Sequence, residues 1–172
     1  MTPEQTFFAL QKLARNQSRA VQEILTLYVL EQFLARLVGT EYADSFVLKG
    51  GVLLAGFGFG RPMRHVDMRA VNFVLDEDRC RGVVAAVAAV PADDGVTFDP
   101  VPSRIEQIRD EEEYLGLRVH LNAQLFSRRL TPKLDIRTGH PISPQAQTVT
   151  MPRLLLSTCL GMLALSDDRE HV

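Results

Sequence analysis

A chain of 172 residues, 46% apolar and 23% charged, can fill one sizeable core and is too apolar for global disorder. A net charge of −2 excludes a protein held to nucleic acid by overall charge, so such a partner would need a local basic patch. Two cysteines, no leader-like N-terminus and no apolar run of about 18 residues predict a soluble, cytoplasmic protein with reduced thiols and no membrane association.

Thr2-Pro3-Glu4-Gln5 has the chemistry of a helix start, and Phe7, Phe8, Leu10, Leu13 and Ala14 follow at helical spacing up to Asn16. A second helix after Ser18 carries a broad apolar stripe from Val21 through Ile24, Leu25 and Phe33 to Val38, where Gly39 stops it. Phe46-Val47-Leu48 reads as a short strand, and Gly50-Gly51 as a turn opening a helix. A loop with Gly56, Gly58 and Gly60 leads to a second strand, within 61–70, that carries Asp67. Asp76 caps a helix predicted through Val90 and closed by Pro91.

Past Asp93-Asp94-Gly95 the apolar period changes from helical to alternating. Residues 96–99, 103–108, 115–121 and 130–137 are predicted strands, with Asp110 to Glu113 in a solvated turn. Gly139 to Pro144 breaks the sheet, and the apolar run Leu154 to Leu165 is predicted as a last helix. These elements make an α+β domain with one principal mixed sheet flanked by helices.

Glycines at a strand-to-helix turn let backbone N–H groups approach an anion, which points to phosphate at Gly50 and Gly51. Asp67 and Asp135 each sit between apolar neighbours, so each carboxylate faces away from the core side of its strand. If the two strands are adjacent, the carboxylates converge and offer hard oxygen ligands for Mg²⁺, as nucleotidyl transfer requires. Lys49, Arg61, Arg64, Lys133 and Arg137 supply positive charge near these positions.

Lys49-Gly50-Gly51, Arg61-Pro62-Met63-Arg64-His65-Val66-Asp67 and Lys133-Leu134-Asp135-Ile136-Arg137, with Met151-Pro152-Arg153-Leu154-Leu155, resemble the AbiEii/AbiGii toxin family of nucleotidyltransferases. The resemblance covers residues 43–156, between N-terminal helices in 1–40 and a divergent tail in 157–172, all within one domain spanning 1–172. It implies a DNA-polymerase-β-like nucleotidyltransferase fold and the toxin of a bacterial toxin–antitoxin pair. The implied reaction moves a nucleoside monophosphate from an NTP to a hydroxyl of RNA, such as a tRNA 3′ end, or of a protein. Gly50 and Gly51 would seat the triphosphate, with Lys49, Arg61, Arg64 and Lys133 beside them. Asp67 would be the second acid of an Asp-x-Asp metal pair, and Asp135 the third acid, which activates the attacking hydroxyl.

His65 stands where the family has the first Asp of that pair. A His65/Asp67/Asp135 ligand set suits Mn²⁺ or another metal that tolerates nitrogen better than Mg²⁺. The family also continues into a C-terminal helical lobe that residues 156–172 do not match. Two readings stay open: a divergent enzyme with a cognate antitoxin, or a catalytically degenerate relative that acts by binding. Self-association as a homodimer is expected from the apolar tail.

Overall fold

A computed structural model describes residues 1–48, 65–109, 115–138, 147–152, 155 and 159–164, the strands 147–152 and 159–164 by their backbone alone. Helix α1 (Pro3–Asn16) begins in a capping box: the Thr2 hydroxyl accepts from the Gln5 N–H at 3.1 Å, and the Gln5 side chain accepts from the Thr2 N–H at 3.0 Å. Two donors that the first turn would leave unpaired are thereby satisfied. Helix α2 (Val21–Leu37) is buried on every side, including Glu31, Gln32 and Arg36. A helix enclosed all round is the centre of a core and not its cover.

Seven strands form the main sheet in the order β4-β5-β8-β2-β1-β10-β9. These are β1 (Phe46–Leu48), β2 (His65–Ala70), β4 (Arg104–Arg109), β5 (Leu115–His120), β8 (Lys133–Arg137), β9 (Gln147–Pro152) and β10 (Cys159–Ala164). The β2–β8 and β1–β10 pairs are parallel and the others antiparallel. At β4–β5 the Ile108 side chain lies over Gly116 so closely that a Cβ there would meet Ile108 Cγ1 at 2.7 Å, which favours glycine at this position.

A smaller sheet, β3-β6-β7, is built from β3 (Val96–Phe98), β6 (Ala123–Leu125) and β7 (Arg128–Leu130). Helix α3 (Glu77–Ala88) is capped by Asp76 and buries Cys80, Val83, Val84 and Val87 at helical spacing. The three helices, the small sheet and strands β1, β2, β5 and β8 share one apolar cluster, in which Val66, Met68, Leu117, Val119, Leu134 and Ile136 from the main sheet meet α2 and α3.

The predicted α+β class holds; α1 has the expected ends, and α2 begins two residues later and ends one residue earlier than expected. Two expectations are corrected. The apolar run predicted as a helix over Leu154–Leu165 contains strand β10, because a short apolar run satisfies a buried strand as well as a helix. The strand predicted over 130–137 is two strands, since Pro132 cannot donate to a ladder. The principal sheet stands as expected, with a small three-stranded sheet beside it. The glycine turn, the 110–113 acidic turn and the 139–144 sheet break lie outside the described residues.

Asp94 ties the turn before β3 to α2. Its carboxylate accepts from Arg36 Nη2 at 2.7 Å and from the Val96 N–H at 2.9 Å, while its carbonyl accepts from the Tyr28 hydroxyl at 2.6 Å. Arg36 also donates to the Val96 carbonyl and lies 4.8 Å from the Phe98 ring centroid. Asp94→Ala leaves the buried guanidinium without its counter-charge, at a cost of about 3 kcal/mol. Thermal unfolding should show the variant melting roughly 5–10 °C below the parent.

Cys80 is a buried free thiol, and burial, aided by Asp76 and Glu77, pushes its pKa up to about 11. It therefore stays protonated and inert near neutral pH. Peptide mapping after iodoacetamide treatment at pH 8 should find Cys80 unmodified in the native protein and alkylated after unfolding.

Candidate active site

Alternation along β2 sends Val66 and Met68 into the core and leaves His65, Asp67 and Arg69 on the other face. On β8 the same period puts Leu134 and Ile136 inward and Lys133, Asp135 and Arg137 on that second face. The strands pair in parallel with His65 opposite Lys133, Asp67 opposite Asp135 and Arg69 opposite Arg137. Directly paired residues share a face, so the two aspartates stand side by side.

Strands β5 and β4 extend these rows, because Arg118 registers with Asp135 and with Glu106. One row across four strands is Asp67, Asp135, Arg118, Glu106. The next is His65, Lys133, His120, Arg104. A carboxylate line is thus bordered by a line of cations and imidazoles.

Asp135 is the buried member, 1% exposed. Arg118 clasps it with two bonds, Nε to Oδ1 at 2.8 Å and Nη2 to Oδ2 at 2.9 Å. Burial alone would raise the Asp135 carboxyl pKa, but the Arg118 hydrogen bonds and the charges of His65, Arg118 and Arg137 outweigh it and hold it below the ordinary value. The same contacts raise the Arg118 pKa. Asp67 is more open and accepts from Arg137 Nη1 at 3.3 Å. His65 Nε2 lies 3.6 Å from Asp67 Oδ1 and 3.7 Å from Asp135 Oδ2. Farther along, His120 Nε2 lies 2.7 Å from Glu106 Oε1, which Arg104 also approaches at 3.3 Å. Hydrogen bonding to His120 lowers the pKa of Glu106.

His65, Asp67 and Asp135 each offer a ligand atom, and these atoms lie within 4.8 Å of one another. Around a small divalent cation with bonds of about 2.1 Å, ligands sit at most about 4.2 Å apart, so a modest contraction makes the three a chelating set. An ionised carboxylate has about four acceptor sites and Arg118 uses two of them on Asp135, which leaves room for a cation.

The structure therefore brings together three residues expected from the sequence, His65, Asp67 and Asp135, and sets Lys133 and Arg137 in the rows beside them. Lys49, Gly50, Gly51, Arg61 and Arg64 lie outside the described residues. Sequence reasoning missed Arg118, Glu106 and His120 as neighbours of the site. Arg118 and His120 alternate with apolar Leu117 and Val119, which marks them as facing away from the core, but only the strand register shows what they meet.

This architecture defines a nucleotidyltransferase-like fold. It is shared with a solved structure of a candidate nucleotidyltransferase from H. pylori at TM-score 0.50 and 15% identity, covering 87% of this chain and 56% of that one. The JHP933 protein of Helicobacter pylori aligns at TM-score 0.49 and 17% identity, over 87% of this chain and 54% of its own. The chain spans about half the length of these solved relatives. No curated protein matches the sequence. Residues 32–166 match the family described as nucleotidyl transferase AbiEii toxin, type IV TA system, and the chain belongs to that family. The match contains both aspartates and extends through β10.

Breaking the Arg118 clasp exposes its role. Arg118→Met strands a buried carboxylate and should cost about 3 kcal/mol at pH 7. The depressed pKa of Asp135 means that the pair stabilises the fold above the unfolded carboxyl's pKa of about 3.9, and that this contribution disappears as pH falls through the folded value. Urea unfolding of parent and variant at several pH values should show the gap closing on acidification.

Proposed function

We propose that this chain is a metal-dependent nucleotidyltransferase of the bacterial toxin–antitoxin type, acting in the cytoplasm. The observation that carries the reading is the register of Asp67 with Asp135 on adjacent parallel strands, with His65 in ligand range of both. His65, Asp67 and Asp135 would hold a divalent cation, with Mn²⁺ favoured over Mg²⁺ because one ligand is an imidazole. Such a cation supplies Lewis-acid polarisation of the phosphate and offsets its charge.

Asp135 stays ionised at neutral pH and so can take the proton of the attacking hydroxyl. That hydroxyl oxygen bonds to the α-phosphorus of an NTP, and pyrophosphate leaves. Lys133, in the cationic row beside the acids, would neutralise phosphate oxygens, together with Lys49, Arg61 and Arg64. Gly50 and Gly51 would give backbone N–H groups to the triphosphate. The acceptor would be an RNA hydroxyl such as a tRNA 3′ end, or a protein hydroxyl, with a cognate antitoxin and a second copy of the chain as further partners. Residues 1–172 would act as one unit, the first helices buttressing the sheet. No helix among the described residues is long and apolar enough to cross a membrane.

A second reading rests on a specific observation: both carboxylates already have guanidinium partners, Arg118 on Asp135 and Arg137 on Asp67. On that reading the chain binds nucleotide or a partner protein without turnover.

The two part in one experiment. Labelled NTP, Mn²⁺ and total RNA should give product with the parent protein, and Asp67→Asn or Asp135→Asn should lower the rate at least about a hundredfold with the fold intact by circular dichroism. Variants as fast as the parent would exclude the assignment. Thermal stabilisation by NTP and Mn²⁺ without any product would favour the binding module.

A further inference from the structure

Away from the aspartates, α1 and the β6–β7 hairpin expose aromatic surface that the core does not use. Phe8 on α1 is 51% exposed, and Phe126 at the hairpin tip is 40% exposed. Their ring centroids lie 6.3 Å apart, and each packs against the buried Phe7, at 5.8 and 5.6 Å.

Phe126 has φ +52°, a left-handed conformation that is costly for a bulky side chain and cheap for Asn or Gly. Non-glycine residues held in this region cluster at functional sites. Here the chain keeps a half-exposed ring where a small residue would fold more easily.

Three cations lie near these rings. Lys12 and Arg15 follow Phe8 at i+4 and i+7, on the same exposed stripe of α1. Arg128 lies over the Phe7 ring, 5.5 Å from its centroid. No carboxylate pairs with Lys12, Arg15 or Arg128 among the described residues, and Glu4 is the one acid on the stripe.

We propose that the Phe8/Phe126 pair and the cations Lys12, Arg15 and Arg128 form a binding surface for single-stranded nucleic acid. Bases stack on the two exposed rings while the backbone phosphates follow the cations. Unpaired cations beside flat rings suit a repeating polyanion with π faces better than they suit a peptide. The surface is separate from the aspartate site, and the proposal stands whether or not that site turns over. The hairpin is inserted between β5 and β8, which carry Arg118 and Asp135, so a strand held here is tethered to the same two strands.

Fluorescence anisotropy with a labelled oligouridylate of about twelve nucleotides tests the proposal on the full chain. Phe126→Asn should weaken binding about tenfold with the fold intact by circular dichroism, because Asn suits the turn. Phe126→Tyr should keep the affinity. Lys12→Gln with Arg15→Gln should make the slope of log affinity against log salt shallower by about 1.4. Phe126→Asn binding as tightly as the parent would overturn the proposal. So would absence of binding by the parent, or equal displacement by a polyglutamate of the same length.

Discussion

The parallel pairing of β2 with β8 is the constraint from which the site follows. It places Asp67 opposite Asp135 with no offset. The same register sets Val66 beside Leu134 and Met68 beside Ile136 on the reverse face, all of them buried in the common core. A slip of one residue would turn the carboxylates into the apolar layer and the aliphatic side chains out to water. Core and chemistry are therefore specified together, and the hydrophobic pattern that folds the sheet also aims the acids.

Burying a carboxylate as deeply as Asp135 requires compensation within the protein. Arg118 provides it from the neighbouring antiparallel strand, in a two-bond geometry that a lysine would not reproduce. Arg137 and His65 crowd the same two acids from β8 and β2. The cluster is close to electrically balanced as it stands. A balanced cluster attracts a divalent cation less strongly than a bare pair of aspartates, and the histidine in place of a third acid acts in the same direction. Both features set this chain apart from the all-carboxylate pattern that its family leads one to expect.

Much of this could be read in the sequence, because the signals are local. Thr2 and Gln5 announce the start of α1, Asp76 that of α3, and strict alternation around Asp67 and Asp135 gives the face on which each lies. The pairing of β2 with β8 was not local. It was a condition in the reasoning, met only when the strand order was known. Arg118 escaped notice for the same reason, since its meaning depends on which strand lies next to β5. The hairpin of β6 and β7 was invisible because its turn has Phe126-Ser127 where an Asn-Gly pair would normally signal it. Strand β10 was mistaken for helix because its apolar run has no alternation to betray it.

Arg137 reaches Asp67 across 70 positions of sequence, and the two strands involved enclose α3, both hairpins and the small sheet. Closing so large a loop is slow, and it cannot begin until β8 has been synthesised. A ribosome making this chain from its N-terminus thus releases the helices and most of the sheet before the acidic centre exists at all. The acidic centre forms only when β8 joins β2, as a property of the assembled sheet and not of any part of it.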